Sequence, residues 1–168
     1  MYIKTERLEL KPLSDCDCEN MIEIFTDDII KKTYLLPDFE SKEKAIELFE
    51  RFKKLSEMDD YYLVGIYLED EVIGFVNEVS RENGSIELGY VIHPKYHNNG
   101  YASEMLGAMI EAMFDAGLSE VVTGAFEENV ASIRVMQKNG MIKIDKTEDI
   151  DYRGAVHKCV FYSKRAIK

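Results

Sequence analysis

The sequence predicts an α/β fold: a single domain with a mixed, mostly antiparallel sheet and flanking helices. Two observations support this prediction. Segments with strand-like and helical patterns follow one another in the order β-α-α-β-β-β-α-β-α-β-β. The three central strands are separated by short polar turns, which indicates an antiparallel meander. The length of 168 residues fits one domain spanning residues 1–168.

The first part of the chain predicts one strand and two helices. Apolar and polar residues alternate over residues 8–13, which favours a strand. Residues 17–26 resemble a short helix, and residues 27–40 are predicted to be irregular. Ser41 suits the N-cap of a longer helix. The apolar residues of that helix recur at helical spacing, namely Ala45, Leu48, Phe49, Phe52 and Leu55.

The rest of the chain alternates strands with two further helices. The meander is predicted at 61–68, 72–79 and 86–92, with turns at 69–71 and 80–85. Gly117 and Gly140 suit helix ends, so the predicted helices run over 101–115 and 130–139. The remaining strands are predicted at 121–126, 141–145 and 157–164.

Composition limits the classes of function. The net charge of −11 argues against a nucleic-acid partner, which usually needs a basic face. An acidic surface suits cationic partners such as amines, or serves solubility alone. No apolar run reaches the length of a membrane span, and the charged start lacks a signal-peptide core. We therefore expect a cytoplasmic protein without a membrane partner.

Cysteines and histidines give no metal-binding pattern. Three cysteines, with Cys16 and Cys18 close together, are interpreted as reduced structural thiols. His93 and His97 are four residues apart, but Pro94 between them argues against a shared helical face. The sequence predicts no metal site.

One polar loop, HPKYHNNGYAS at residues 93–103, lies between a predicted strand and a predicted helix. The start of a helix carries partial positive charge and N–H groups that can bind an anion. Gly100 allows the backbone to approach a ligand closely, and Asn98 and Asn99 tolerate unusual turn geometry. The loop suits a phosphate or pyrophosphate, although a purely structural connection explains the same residues.

Three motifs together resemble a known family. The loop contains His97-x-x-Gly100-x-Ala102 after Ile92-His93-Pro94. A second motif, Asn129-Val130-Ala131-Ser132, is followed by Lys138-Asn139-Gly140-Met141. These motifs resemble the acyl-coenzyme A loop and the second signature of the GNAT superfamily of N-acetyltransferases. The opening TERLELKPL is similar to the opening segment of one branch of this superfamily, which includes the ribosomal-protein N-terminal acetyltransferases.

The resemblance implies a GNAT-like fold and an enzyme that uses acetyl-coenzyme A without a metal. It would transfer the acetyl group to a primary amine by direct attack in a ternary complex. The acceptor would be a protein N-terminus or a small-molecule amine, including a polyamine or an aminoglycoside-type antibiotic. The alternative is a non-catalytic acyl-coenzyme A-binding or sensor protein. Many members dimerise, so a homodimer is one expected assembly.

The resemblance also implies which residues bind the cofactor. Backbone amides of the loop would bind the pyrophosphate, at Asn98, Asn99, Gly100, Tyr101, Ala102 and Ser103. His97 belongs to the same cofactor loop and stands where the family usually has Gln or Arg. The preceding strand would offer backbone hydrogen bonds to the pantetheine arm, at Tyr90, Val91 and Ile92, and one of these amides would polarise the acetyl carbonyl. Asn129 would bind the pantetheine or the adenosine side. Arg134 and Lys138 are further candidates for the phosphates, or ordinary surface charges.

Candidate catalytic groups follow from the same comparison. Glu87 is the expected general base, since strand alternation places it on one face with Gly89 and Val91. A solvated or lysine-paired glutamate is the competing interpretation, and Glu78 is the second candidate.

Two methionines depart from the family pattern. Met136 stands where many members have the tyrosine that protonates the leaving thiolate, and methionine cannot donate a proton. Ser132 is then the nearest hydroxyl for that role, although a helix-start hydroxyl often makes local hydrogen bonds only. Met141 replaces the usual phenylalanine and is interpreted as a packing substitution. Tyr34 is expected to pack rather than to contact substrate.

Overall fold

The computed structural model describes residues 1–167. Within this range it contains helices α1 (Cys18–Thr26), α2 (Ile30–Thr33), α3 (Lys42–Ser56), α4 (Tyr101–Asp115) and α5 (Val130–Lys138). The strands are β1 (Ile3–Lys4), β2 (Leu8–Lys11), β3 (Leu63–Leu68), β4 (Glu71–Glu82), β5 (Ser85–Ile92), β6 (Glu120–Phe126), β7 (Ile142–Tyr152) and β8 (Ala155–Arg165). None of these helices is long and apolar enough to cross a membrane.

The sheet confirms the predicted α/β class. Its strands are hydrogen-bonded in the order β1-β2-β3-β4-β5-β6-β8-β7. The β5–β6 pairing is parallel, whereas the pairings β1–β2, β2–β3, β3–β4, β6–β8 and β7–β8 are antiparallel. Two compact units are distinguished along the chain. The first contains residues 1–77 and 90–105, and the second contains residues 78–89 and those from 106 onward.

An aromatic cluster forms the centre of the first unit. The ring of Phe25, on α1, makes edge-to-face contacts with Phe52 on α3 and Phe75 on β4, at centroid distances of 5.1 and 6.0 Å. Such arrangements suit the quadrupoles of aromatic rings. Ser41 caps the start of α3: its hydroxyl accepts a hydrogen bond from the Lys44 amide at 3.4 Å. The predicted start and the buried face of α3 are confirmed.

The second unit has its own apolar cluster on the β6–β8–β7 strands. Val122, Phe126, Cys159 and Phe161 are buried together. Burial raises the pKa of the Cys159 thiol to about 11, so this thiol stays protonated at neutral pH. This agrees with its interpretation as a reduced structural cysteine.

Two hairpins are longer than predicted. The predicted turn at 80–85 is wrong, because β4 continues to Glu82 and only Asn83 and Gly84 form the turn. Both residues have positive φ, 52° and 79°, as an Asn-Gly hairpin turn requires. Strand β7 was expected to end at residue 145 but extends to Tyr152. Its many charged residues concealed the strand pattern, since an exposed edge strand needs few apolar side chains.

Two short elements were also absent from the sequence prediction. Ile30–Thr33 forms a single helical turn within the segment expected to be irregular. The Asp27 carboxylate accepts hydrogen bonds from the Ile29 and Ile30 amides and so starts this turn. Strand β1 has only two residues and pairs with β2, which is too short for a periodic signal.

The aromatic cluster predicts a large effect of truncation. Phe25→Ala should lower the free energy of unfolding by about 3–5 kcal/mol, because Phe25 is fully buried and the cavity cannot close. Ile29→Ala is the matched control, because Ile29 is 54% exposed, and it should change stability by no more than about 0.5 kcal/mol. Urea unfolding followed by circular dichroism measures both. Equal effects of the two substitutions would contradict this description of the core.

Candidate functional site

The polar loop is anchored to the end of β5 by its histidines. The Nε2 atom of His97 lies 2.7 Å from the Ile92 carbonyl oxygen, which accepts a hydrogen bond from it. The His93 amide donates to the Ile73 carbonyl at 2.8 Å, and the Nδ1 atom of His93 accepts from the Lys95 amide at 3.2 Å. The His97 side chain is therefore engaged in fixing the loop, and the His97 amide donates to the Pro94 carbonyl at 3.1 Å.

Two residues at the tip of the loop have left-handed backbone conformations. Asn98 and Gly100 have φ values of 64° and 83°, whereas Asn99 between them has no positive φ. Alternation of right-handed and left-handed backbone conformations can turn successive N–H groups towards one side. The side-chain amide of Asn99 donates to the His97 and Tyr96 carbonyls at 2.9 and 3.2 Å. His97, Asn98, Asn99 and Gly100 are all exposed.

Helix α4 begins immediately after this tip. Its amide-to-carbonyl hydrogen bonds start with Glu104 and Gly100, at 3.0 Å. The amides of Tyr101, Ala102 and Ser103 therefore lie in the first turn, where the helix dipole places partial positive charge. The loop tip and this turn together form a positively polarised stretch of backbone that can accept a phosphate group.

A dense hydrogen-bonded cluster, which the sequence did not predict, surrounds Glu104. Its carboxylate accepts from the Thr5 hydroxyl at 2.6 Å and from the Arg7 amide at 2.8 Å. The Arg7 guanidinium donates to the same carboxylate through Nε and Nη2, both at 2.7 Å. Partial burial alone would raise the pKa of the Glu104 carboxyl, but the hydrogen bonds from Thr5 and Arg7 hold it below its usual value.

The residues at the end of β5 are buried or half-buried. Val91 and Ile92 are buried, whereas Tyr90 is half-buried. A Cβ atom placed on Gly74 would lie only 2.1 Å from the Val91 carbonyl oxygen, so this close approach requires glycine. Along β5, Ile86 and Leu88 are buried and Glu87 is half-buried, in keeping with the predicted alternation. Val91 packs into the core of the first unit.

In the second unit, the pairing of β5 with β6 is short. It covers Ser85, Ile86 and Glu87, opposite Glu120, Val121 and Val122. Beyond that point the Thr123 hydroxyl, rather than a backbone amide, donates to the Leu88 carbonyl at 2.8 Å. The backbone pairing between β5 and β6 therefore ends at Glu87 and Val122.

Glu87 lies beside a lysine. Its carboxylate is 18% exposed and sits 3.2 Å from the Lys146 ammonium. Lys146 also contacts Glu148 at 3.3 Å and lies 3.9 Å from the centre of the Phe161 ring. Desolvation alone would lower the pKa of Lys146, but its two carboxylate neighbours raise it. The register of β7 shifts between Lys143 and Thr147, and this irregularity includes Lys146.

The second motif forms the start of α5. The side-chain oxygen of Asn129 accepts from the Ser132 amide at 3.2 Å and so caps the helix. Met136 and Met141 are buried, which agrees with the interpretation of Met141 as a packing substitution. Met136 belongs to the core of its unit and offers no proton donor. Arg134 and Lys138 are exposed.

The remaining candidates have structural partners. Glu78 is buried and lies 3.3 Å from Nε of Arg81. The Tyr34 hydroxyl donates to Asn77 at 2.5 Å, and its ring contacts Phe75 edge-to-face. Burial raises the pKa of Tyr34. Over residues 1–167, no group of three or more histidine, cysteine or acidic side chains could hold a metal ion.

Comparison with known proteins decides the family. The model of the acetyltransferase (GNAT) domain matches residues 7–142. The chain belongs to the GNAT family. It is 32% identical over 146 residues to the uncharacterized N-acetyltransferase YoaA of Bacillus subtilis (strain 168). The alignment covers 84% of this chain and 82% of that relative. The family resemblance inferred from the three motifs is confirmed, and the chain is an acetyltransferase.

Solved GNAT structures share the whole fold. An acetyltransferase of the GNAT family from Bacillus anthracis is 25% identical, with a TM-score of 0.84 over 98% of each chain. RimL, a ribosomal L7/L12 alpha-N-protein acetyltransferase solved in complex with coenzyme A, has a TM-score of 0.86 over 98% of each chain. Its identity is 17%, so this likeness concerns the fold. The individual roles of the GNAT site residues stay predictions.

The cap of α5 gives a test of the second GNAT motif. Asn129→Ala should lower the free energy of unfolding by about 0.5–2 kcal/mol, because the Ser132 amide loses its acceptor. Asn129→Asp should retain most of the stability, since a carboxylate also caps a helix and favours its positive end. Thermal unfolding compares the two variants. Equal losses would show that the capping bond contributes little.

Proposed function

We propose that this GNAT protein binds acetyl-coenzyme A and transfers the acetyl group to a primary amine. The observation that supports the proposal most strongly is the backbone of residues 97–103. It combines left-handed turns at Asn98 and Gly100 with the first turn of a 15-residue helix. Such a stretch offers several N–H groups to one anion without any lysine. The pyrophosphate of coenzyme A is an anion of the right kind.

The other cofactor contacts are proposed from the family motifs. Tyr90, Val91 and Ile92 would offer backbone groups to the pantetheine arm. Asn129 would contribute through the NH₂ group of its side chain, since its side-chain oxygen already caps α5 and its backbone amide donates to the Phe126 carbonyl at 2.8 Å.

The reaction requires a neutral amine and a polarised thioester carbonyl. Acetyl-coenzyme A supplies the activated acetyl group. A backbone amide near the end of β5 would stabilise the negative charge that develops on the carbonyl oxygen. Glu87, directly or through a water molecule, would take the proton that the amine loses. Ser132 is the candidate proton donor to the leaving thiolate.

The acceptor is proposed as a cationic amine, either a protein N-terminus or a small molecule. The net charge of −11 favours the approach of cations. Lys146 lies beside Glu87, however, so an acceptor ammonium would have to displace this lysine or deliver its proton through water.

Gly100 provides the direct test of cofactor binding. Acetyl-coenzyme A at a hundred times its Kd should stabilise the parent protein by about 2.7 kcal/mol. Gly100→Trp should abolish this response, because the indole fills the loop where the phosphates would bind. Gly117→Trp is the matched control: its φ of 89° imposes the same left-handed strain, but no atom lies within 4 Å of the added Cβ.

Thermal unfolding with and without acetyl-coenzyme A measures the three proteins. Both tryptophan variants should start with a lower melting temperature than the parent, and only Gly117→Trp should regain stability on adding the cofactor. A full response of Gly100→Trp would place the pyrophosphate elsewhere. No response of the parent would refute cofactor binding.

The role of Glu87 predicts a loss of activity when its carboxylate is removed. Glu87→Gln should lower kcat/KM by about 10²–10⁴-fold, the range for a lost general base. Lys146→Met should lower the KM for the acceptor amine, because an acceptor ammonium no longer has to displace this lysine. The matched controls are Glu148→Gln, which removes the other neighbour of Lys146, and Lys158→Met, which removes a lysine paired with Glu127.

Amine acetylation assayed by release of the free thiol of coenzyme A gives these constants. A kcat/KM of Glu87→Gln equal to that of the parent would remove Glu87 from the proton transfer. Cofactor binding without thiol release for any amine offered would favour the non-catalytic alternative.

A further inference from the structure

The TERL segment at the start of the chain has no role in the function proposed above, yet it contacts the candidate phosphate loop. The Nη1 atom of Arg7 donates to the Asn99 carbonyl at 2.9 Å, while Nε and Nη2 bind the Glu104 carboxylate. One planar guanidinium therefore joins the loop tip to the first turn of α4. The Arg7 backbone amide and the Thr5 hydroxyl also donate to this carboxylate, which brings its donors to four.

The contact reaches the residue that the loop chemistry depends on. The Nη2 atom of Arg7 would be 3.4 Å from a Cβ atom placed on Gly100. The guanidinium carbon also lies 4.6 Å from the centre of the Tyr101 ring, a cation–π arrangement. Arg7 thus contacts Asn99 and Tyr101 and lies beside Gly100 between them, and the amides of these three successive residues are proposed to bind pyrophosphate.

The charges in this cluster need an explanation. A carboxylate in the first turn of a helix stabilises the helix but repels an anionic ligand at the same end. Glu104 is such a carboxylate, and its side chain is only 16% exposed. The two-point contact with Arg7 neutralises this charge. The ion pair therefore leaves the partial positive charge of the backbone amides available to a phosphate.

We propose that Arg7 and Glu104 are positioning residues that hold the loop in its phosphate-binding conformation before the cofactor arrives. This inference rests on the proposed function, since it assigns a task to residues around the same loop. The guanidinium does not need to touch the ligand: it fixes the Asn99 carbonyl, and so the orientation of the amides that follow. Fixing a loop in advance lowers the entropic cost of binding.

The proposal differs from a simple charge effect in its prediction for Glu104. If only charge mattered, Glu104→Gln would bind coenzyme A more tightly, because one negative charge near the pyrophosphate is lost. If the carboxylate holds Arg7 in place, the same substitution weakens binding. Arg7→Lys also distinguishes the charge effect from the positioning effect. It keeps the positive charge, but a lysine cannot make the planar two-point contact with Glu104 and reach Asn99 as well.

The experiment uses the full chain and two variants with matched controls. The test variants are Arg7→Lys and Glu104→Gln. The controls are Arg165→Lys and Glu120→Gln, which alter another arginine–glutamate pair, with Nε and Oε1 3.1 Å apart. Titration calorimetry gives the Kd for coenzyme A, well below each melting temperature. Hydrogen exchange of the free proteins gives the protection of the amides at residues 98–103.

Both test variants should bind coenzyme A on the order of tenfold more weakly, and the double variant should lose little more than either single one. Their loop amides should exchange faster than those of the parent in the absence of ligand. Arg165→Lys and Glu120→Gln should match the parent in both measurements. A loss of melting temperature with unchanged Kd would mean a structural role only and would overturn the proposal.

Two other outcomes also overturn it. Tighter binding by Glu104→Gln would show that charge alone governs the site, and parent-like affinity of Arg7→Lys would show that the planar contact is not needed. Failure of the proposed function looks different: the parent itself would give no binding heat with coenzyme A. Faster exchange in the variants would then show that the cluster orders the loop without serving this ligand.

Discussion

The first turn of helix α4 sets the constraint on which the candidate site depends. A helix that starts at Tyr101 presents amides that no helical carbonyl can accept, together with the positive end of the helix dipole. The preceding loop supports this arrangement with left-handed residues at Asn98 and Gly100 and with the hydrogen bond from His97 to Ile92. The same backbone features that fix the chain path between β5 and α4 thus create a place for an anion.

Two ion pairs balance charge around the proposed chemistry, with different consequences. Arg7 neutralises Glu104, a carboxylate that would otherwise oppose an anionic ligand at the helix start. Lys146 neutralises Glu87, a carboxylate that would otherwise attract a cationic acceptor. The first pair prepares the loop for the cofactor. The second places the candidate base beside a lysine that an acceptor ammonium would have to displace.

The sequence revealed the features that depend on neighbouring residues. The loop at 93–103, the Asn129 cap and the helical face of α3 are local patterns, so the family and the fold class could be predicted from them. The Arg7–Glu104 contact joins residues 97 positions apart, and the Glu87–Lys146 contact joins residues 59 apart. Nothing in either segment specifies its partner, because such pairs follow from strand order and from the register shift in β7. The extended edge strand was missed because its side chains are mostly polar.

The most direct test of the account is a titration of the isotope-labelled protein with coenzyme A, followed through the backbone amide resonances in nuclear magnetic resonance spectra. If the loop and helix start bind the pyrophosphate, the amides of residues 98–103 should show the largest shifts, and desulfo-coenzyme A should reproduce them. Free pantetheine, which lacks the pyrophosphate, should leave these resonances in place. Saturation by coenzyme A with unmoved resonances at residues 98–103 would contradict the central claim.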